Sequence, residues 1–236
     1  MKMENEFKPL VLIPTYNEAL NIKSFIEEVF KYCPDINLLI IDDNSPDNTA
    51  EIVHSMCDKR IYILKRAKKA GLASAYIEGF RHGISLGYNA FIEMDADFSH
   101  KPEYLPTMLE NLKKYDFVIG SRNIKGGSVE NWSIIRNLIS KMGSLYSKIV
   151  LWCPINDLTG GFNGWKKEVI EAIGLDNIIS KGYSFQIELK YRAYKKGFKY
   201  VEFPIVFPDR KLGESKMSGD IFFEAMKNVF KIRFSK

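Results

Sequence analysis

Two aspartates one residue apart, Asp95 and Asp97, are the strongest chemical signal in the chain. They lie in the stretch FIEMDADFSH, whose apolar residues Phe91, Ile92 and Met94 are typical of a buried strand. In an extended segment, side chains two residues apart point the same way, so the two carboxylates are expected to face one point. Such a pair repels itself unless a cation neutralises it. Mg²⁺ usually takes one or two carboxylates and completes its shell with water and phosphate oxygens. The pair therefore predicts half of a metal–diphosphate site.

The elements that must position this pair are strands alternating with helices. Apolar runs predict strands over 10–14, 38–42, 61–64, 90–94 and 117–120, and the intervening segments have helical spacing over 21–32, 49–58, 70–87 and 102–113. Short apolar strands alternating with helices indicate an α/β fold with a mostly parallel sheet flanked by helices. In such sheets ligands bind beyond the carboxyl ends of the strands.

Polar residues follow four of the five predicted strands. They form the stretches PTYNE (14–18), DDNSPDNT (42–49), DADFSH (95–100) and SR (121–122). One polar loop is unremarkable because Asn, Asp, Ser and Pro favour turns. Four such loops at one sheet edge, several of them acidic, predict a binding site instead. His100 ends the third stretch, where we expect an ordinary loop histidine.

The second half of the chain is less regular. We predict a helix over 132–152, a glycine-rich turn at 160–164, helices near 165–173 and 184–196, a strand near 199–206 and a C-terminal amphipathic helix over 219–234. No linker is evident, so we expect a single domain over 1–236. The apolar face of 132–152 either packs on the sheet, which we favour, or lies on a membrane surface.

Composition excludes several classes of protein. The 236 residues are 46% hydrophobic, which is enough for a substantial core. The net charge of +5 is too mild for a dedicated nucleic-acid binder, so we expect no nucleic-acid partner. The three scattered cysteines predict neither a disulfide framework nor a zinc site. The polar N-terminus and the absence of a long apolar run predict no signal peptide and no membrane span.

Several motifs in chain order resemble those of the family 2 glycosyltransferases, which have the GT-A (Rossmann-like) fold. They are VLIPTYNEALNI, LLIIDDNSPDNT, KRAKKAGLASAYIEGF, DADFSHKPE, IGSR and RKLGESK, and they span residue 9 to about 217. Within that family, DADFSHKPE and RKLGESK are most similar to the dolichyl-phosphate or polyprenyl-phosphate mannose synthases. The chain resembles their short form without transmembrane helices.

The resemblance implies a nucleotide-sugar site in the half of the domain formed by 1–122. The residues that match the family's donor-binding motifs are Pro14, Tyr16, Glu18, Asp43, Asp95, Ala96, Asp97, Ser99, Arg122, Arg210 and Lys216. Among them, Asp43 matches the acid that contacts the base or ribose. The late pair, Arg210 and Lys216, matches a basic pair that closes over the diphosphate.

The resemblance also implies the metal and the catalytic groups. Asp95 and Asp97 match the ligands of Mg²⁺ or Mn²⁺, a Lewis acid for the departing diphosphate, and Arg122 completes the expected catalytic set. A lipid phosphate is already ionised and needs positive groups rather than a general base. Arg122 and Arg136 are our candidates for binding that phosphate in the acceptor half, 123–236. In-line attack would invert the anomeric centre.

The implied partners are GDP-mannose, dolichyl or polyprenyl phosphate, and a membrane surface, with a small membrane subunit as a further candidate. We accordingly expect a peripheral protein at the cytoplasmic face of a membrane.

Three alternatives stay open. The donor is a UDP-sugar in the first, giving polyprenyl-phosphate glucose or a related product. The second has a saccharide acceptor, which needs a carboxylate base such as Asp157 or Glu188. The third is a non-catalytic nucleotide-binding module.

Overall fold

A computed structural model gives the fold of the chain and describes residues 6–180, 182, 184–208 and 219–234, without the side chains of 134–136 and 219–225. The strands are β1 (Pro9–Thr15), β2 (Asn37–Asp42), β3 (Ile61–Lys65), β4 (Ala90–Glu93), β5 (Phe117–Ser121), β6 (Ser128–Val129), β7 (Asn163–Lys166), β8 (Tyr200–Pro204) and β9 (Val206–Phe207). The α-helices are α1 (Ile22–Tyr32), α2 (Thr49–Ser55), α3 (Leu72–Ser85), α4 (Leu105–Lys114), α5 (Ile134–Leu151), α6 (Lys167–Ile173), α7 (Ser184–Lys195) and α8 (Gly219–Phe234).

Within the described residues, seven strands form the central sheet, in the order β3-β2-β1-β4-β7-β5-β8. Every neighbouring pair is parallel except those of β7, which is antiparallel to both β4 and β5. The short strands β6 and β9 pair with each other. The mostly parallel α/β sheet predicted from the sequence is therefore confirmed.

Both faces of the sheet are buried. In β1, Leu10 and Leu12 belong to one hydrophobic cluster, whereas Val11 and Ile13 belong to the other. Helices α3 and α7 contribute to the first cluster, and α1 and α4 contribute to the second. This two-sided burial explains why the parallel strands are continuous apolar runs rather than alternating ones.

The strand β7 shows that our assignment of this segment was wrong. We predicted a turn at 160–164 followed directly by a helix, but Asn163–Lys166 forms a strand between β4 and β5. Asn and Gly are depleted in strands, so local propensity concealed it. Packing requires the glycine: a Cβ at Gly164 would lie 2.8 Å from Sδ of Met108 on α4.

Helix α5 corrects a second expectation. Instead of packing its apolar face on the sheet, it exposes an apolar stripe at helical spacing, formed by Leu138, Met142, Leu145 and Ile149, with exposed fractions of 56–62%. Its buried positions include the polar residues Ser144 and Ser147. The side of α5 that faces the protein combines these serines with Tyr146, Val150 and Leu151, so only part of its apolar surface is buried. Of the helices in the described part of the chain, none combines the length and apolar character that a membrane span requires.

Candidate active site

The carboxyl ends of the parallel strands bring the predicted polar loops to one edge of the sheet. The register pairs Thr15 at the end of β1 with Asp42 at the end of β2, and β4 runs beside β1 in the same direction. Because β7 runs the other way, its first residue, Asn163, also lies at this edge, opposite Glu93. The segment that precedes β7 therefore joins the loops after β1, β2, β4 and β5.

Hydrogen bonds join the loop after β1 to the loop after β2. Asp42 accepts from Oγ1 of Thr15 at 3.0 Å and from the backbone N–H of Ser45 at 2.9 Å. The backbone N–H of Glu18 donates to Oγ1 of Thr49 at 3.0 Å. Asp42 therefore holds the two loops together beside Asp43, the acid that the family resemblance assigns to the base or ribose.

Asp43 is buried and paired with an arginine that our motif analysis did not single out. Nη1 of Arg66 donates to Oδ1 of Asp43, and Nη2 of Arg66 donates to Oε1 of Glu78 on α3 at 3.1 Å. Burial raises the pKa of Asp43, although the charge and hydrogen bond of Arg66 oppose this shift. Arg66 thus fixes the orientation of the carboxylate that we assigned to the nucleotide.

Tyr16 lies in the loop that follows β1, beside a second cation. Nζ of Lys69 is 3.8 Å from the centre of the Tyr16 ring, a cation–π contact. Pro14 is the penultimate residue of β1, and Glu18 accepts a side-chain hydrogen bond from Asn21 at 3.2 Å. The structure therefore places these three predicted residues at the same edge as Asp43.

Asp95 and Asp97 lie in a turn rather than in an extended segment. The strand β4 ends at Glu93, and Phe98 has a left-handed backbone with φ 62°. The alternation rule that we applied to the pair therefore does not hold here. The side chain of Asp95 is 31% exposed, whereas Asp97 is 7% exposed and accepts from the backbone N–H of Ser99 at 3.0 Å.

His100 is a structural part of this turn, not the ordinary loop histidine we expected. It is 1% exposed, and its Nδ1 accepts a hydrogen bond from the backbone N–H of Asp95 at 2.9 Å. Its ring stacks on Phe162 and meets the edge of Phe207, with centroid distances of 5.3 and 5.4 Å. The histidine therefore anchors the backbone of Asp95 to the core.

The turn fits a divalent cation that takes its remaining ligands from a diphosphate. Among the described residues, no group of three or more His, Cys, Asp or Glu side chains forms a closed metal cage. Asp95 and Asp97 supply two carboxylates, and Oγ of Ser99 is a buried hydroxyl without a hydrogen-bond partner in the described part of the chain. Two carboxylates and an unsatisfied oxygen suit a hard cation completed by water and phosphate.

Arg122 is held by Asp157 after β5. Nε and Nη2 of Arg122 donate to the two carboxylate oxygens of Asp157 at 2.8 and 2.7 Å, and Nη2 also donates to Oγ1 of Thr159 at 3.0 Å. Burial alone would raise the pKa of Asp157, but the charge and hydrogen bonds of Arg122 hold it well below the usual range. The pair is therefore ionised and rigid.

Neither acid that we considered as an alternative general base is available for that role. Asp157 is 0% exposed and is committed to Arg122. Glu188 is also 0% exposed and accepts from Nε of Arg192 at 2.8 Å and from the backbone N–H of Ser180 at 2.9 Å. This arrangement weighs against a saccharide acceptor that relies on either carboxylate.

A cationic recess lies beside Arg122. A cavity of about 130 Å³ is lined by Arg122, Asn137, Ser140 and Lys141, among others. A more open cavity of about 580 Å³ beside it also includes Leu145, on the apolar stripe of α5. The recess thus joins a buried guanidinium to an apolar surface.

Three predicted residues cannot be placed by their side chains. Arg136 lies in the first turn of α5, where side chains are not described. Arg210 and Lys216 lie in the segment 209–218, outside the described residues. Their assignments stay predictions.

The order and directions of the strands, with the acidic turn at their carboxyl edge, match the GT-A fold. The chain belongs to glycosyl transferase family 2, whose model matches residues 10–174. The resemblance drawn from the sequence motifs is therefore confirmed.

Two curated relatives match nearly the whole chain. The chain is 44% identical over 222 residues to undecaprenyl-phosphate mannosyltransferase from Micrococcus luteus. This alignment covers 93% of the chain and 91% of that protein. The chain is 43% identical over 226 residues to polyprenol monophosphomannose synthase from Mycolicibacterium smegmatis. This alignment covers 94% of the chain and 85% of that protein.

Solved structures share the fold at low sequence identity. Glucosyl-3-phosphoglycerate synthase from Mycobacterium tuberculosis, in complex with Mn²⁺, UDP and phosphoglyceric acid, has a TM-score of 0.70 at 13% identity, covering 96% of this chain and 77% of that one. A mannosyltransferase from Pyrobaculum calidifontis, in complex with GDP-Man and Mn²⁺, has a TM-score of 0.60 at 13% identity, covering 97% and 70%. At this identity the likeness establishes the fold alone.

Proposed function

We propose that this chain transfers a mannosyl residue from GDP-mannose to a polyprenyl phosphate, with inversion at the anomeric carbon. The observation that carries the proposal is the 44% and 43% identity, along nearly the whole chain, to a mannosyltransferase named for undecaprenyl phosphate and a polyprenol monophosphomannose synthase. GDP is the donor nucleotide that the sequence resemblance implies.

The nucleotide would bind in the first half of the domain, over the loops that follow β1 and β2. Asp43 offers a fixed, buried carboxylate for N–H or O–H groups of the base or ribose. Tyr16 and the backbone around Pro14 and Glu18 form the adjoining wall. The pair Arg210 and Lys216 would add positive charge over the diphosphate.

A divalent cation, Mg²⁺ or Mn²⁺, would be held by Asp95 and Asp97, with Ser99 contributing its hydroxyl and Ala96 lying between the two acids. When bound, such an ion neutralises charge that develops on the departing nucleotide diphosphate. The chain's own contribution is to hold the two carboxylates in a fixed turn. His100 and the N–H of Ser99 serve this purpose.

The acceptor phosphate would bind in the recess beside Arg122, with Arg136 as an additional cation. Arg122 is fixed by Asp157, so its charge is oriented before any ligand arrives. Lys141 lines the same recess and is exposed. A phosphate monoester already carries ionised oxygens near neutral pH, so the reaction needs no general base. This agrees with the burial and pairing of Asp157 and Glu188.

The apolar stripe of α5 would lie on the lipid surface from which the acceptor comes. On the neighbouring helix α8, Phe230 and Phe234 are 52% and 78% exposed, and Tyr146 of α5 packs near Phe230. The same two helices carry basic residues, namely Lys141, Lys148, Lys227, Lys231 and Arg233. Apolar residues flanked by cations suit an anionic bilayer. We place this surface at the cytoplasmic face of a membrane, where a small membrane subunit is a candidate partner.

A direct transfer assay tests the proposal. The purified chain is incubated with Mg²⁺ or Mn²⁺, labelled GDP-mannose or UDP-glucose, and undecaprenyl or dolichyl phosphate, and the label is followed into the lipid extract. We expect metal-dependent labelling from GDP-mannose. Labelling from UDP-glucose alone would replace the donor, and labelling in none of the combinations would overturn the proposal.

A further inference from the structure

A lysine inside the core, Lys190 on α7, donates hydrogen bonds to the loop that precedes β7. It is 0% exposed, and its Nζ donates to the backbone carbonyls of Asp157, Leu158 and Gly160 at 2.9, 3.3 and 2.6 Å. An ammonium group has three N–H donors, so all three are used. A buried charge is costly unless it is bonded and compensated, which indicates that this lysine has a specific task.

The compensating charges belong to both parts of the site. Glu93, at the end of β4, is 0% exposed and accepts hydrogen bonds from Asn163, Trp165 and Gln186. Asp157 and Arg122 form the second buried pair. Glu93 and Asp157 thus act on Lys190 from two sides, one at the end of β4 and the other beside Arg122 after β5.

The loop that Lys190 holds, residues 157–161, lies between these two parts. The carboxylate of Asp157 grips Arg122, and its Oδ1 also accepts from the backbone N–H of Gly160 at 2.9 Å. At the other end of the loop, a Cβ on Gly161 would lie 3.4 Å from Cε1 of His100. Movement of this loop would therefore displace Arg122 first, through Asp157.

We propose that Lys190 is a positioning residue for the acceptor phosphate, since it fixes the carbonyls of the 157–161 loop and thereby the Asp157–Arg122 pair. This inference rests on the proposed function, because it assigns Arg122 to the acceptor. Lys190 itself touches no substrate.

Because Lys190 needs its proton to bond all three carbonyls, binding of the acceptor phosphate should depend on pH. The groups that act on it are Glu93 from β4, Arg122 after β5, Asp157 and Cys153 from the segment between α5 and β7, and Glu202 from β8. Burial lowers the pKa of Lys190 to about 8, although Asp157 and Glu93 oppose the shift. A neutral amine has only two N–H donors for three carbonyls, so the loop should loosen as the pH rises through this value.

The test compares Lys190→Met and Lys190→Gln with Lys195→Met, an exposed lysine on the same helix. KM and kcat for polyprenyl phosphate and for GDP-mannose are measured between pH 6.5 and 9.5, with thermal unfolding as a check on folding. In the wild type and in Lys195→Met, KM for the acceptor should rise on the alkaline side. In Lys190→Met, KM for the acceptor should be raised at least about 10-fold at neutral pH and should lack the further rise through about pH 8, while KM for GDP-mannose stays within about twofold.

Each outcome decides the inference. An unchanged acceptor KM in Lys190→Met, or an alkaline rise that persists in it, overturns the positioning role. Equal increases in both KM values would indicate a general loss of structure and would also overturn it. If the methionine variant does not fold, Lys190→Gln, which keeps two donors without a charge, must abolish the alkaline rise. Absence of transfer by the wild type would instead refute the proposed function itself.

Discussion

Asp97 is the more deeply buried of the two aspartates that we propose as metal ligands. It is nearly buried, and the backbone N–H of Ser99 orients one of its oxygens. A carboxylate in such a position costs desolvation energy that a bound cation would offset. Its neighbour Asp95 is more exposed, so the two acids are not equivalent. We therefore expect Asp97 to matter most for metal affinity.

Replacing Asp97 with Ala should abolish most of the transfer activity while leaving the fold intact. We expect turnover to fall by about 10²–10³-fold, the usual effect of removing an electrostatic group aimed at the reacting centre. Transfer to polyprenyl phosphate is measured together with the binding of Mn²⁺ in the presence of GDP. Asp35→Ala, an exposed aspartate before β2, is the matched control. Wild-type turnover in Asp97→Ala would remove Asp97 from the metal site.

Residue types in the sequence predicted some residues of the candidate site but not the residues that pair with them. Asp43, Asp95, Asp97 and Arg122 stand at predicted strand ends, so their positions follow from a local pattern. The pairing of Arg122 with Asp157 spans 35 positions, and that of Arg66 with Asp43 spans 23. A local sequence pattern cannot predict such contacts, because they form only when separate loops meet at one edge of the sheet.

At the scale of elements, α5 is the most informative helix. Its hydrophobic residues follow a helical period, which is why the helix could be predicted, but the period does not say whether the apolar face meets the core or the outside. The structure decides the matter by burying Ser144 and Ser147 instead. The same holds for β7, whose place is set by its pairing with β4 and β5.

The substitutions Leu145→Ser and Ile149→Ser should each weaken binding to vesicles without lowering the stability of the fold. Both side chains are largely exposed, so the folded protein loses little when they are shortened. Burying one such side chain is worth about 1.5–3 kcal/mol, so we expect at least about fivefold weaker binding per substitution. Sedimentation with phosphatidylglycerol-containing vesicles measures the effect. Leu86→Ser, an exposed leucine after α3, should bind like the wild type, and unaltered binding by both α5 variants would exclude this helix from the lipid surface.

At the scale of the whole molecule, the buried charges link stability to pH in two directions. The pKa of Asp157 is lowered in the folded protein, so the stability it contributes is present above its ordinary value of 3.8 and is lost as the pH falls below it. Burial raises the pKa of Glu93 to about 7, so its contribution is present at low pH and is lost as the pH rises towards neutrality. The two effects oppose each other.

The substitution Asp157→Asn should remove the pH-dependent stability that ionised Asp157 contributes. At pH 7 the variant leaves Arg122 without its counter-charge, and we expect it to lose about 3–5 kcal/mol of unfolding free energy. Between pH 5 and pH 3 the wild type should lose stability faster than the variant, so the difference between them should shrink. Urea unfolding at several pH values measures both, and Glu93 titrates in both proteins. A difference that stays constant down to pH 3 would contradict the assignment.

By itself, the sequence determined the alternation of strands and helices in the first half, the edge where polar loops gather and the acidic pair at that edge. These features are local, since hydrophobic runs, turn residues and short motifs are each read within a few positions. Tertiary structure decided the insertion of β7, the outward direction of the α5 stripe and the buried charges around Lys190. These depend on contacts between residues far apart in the chain, whose energies exist only once the sheet has assembled and water has been excluded.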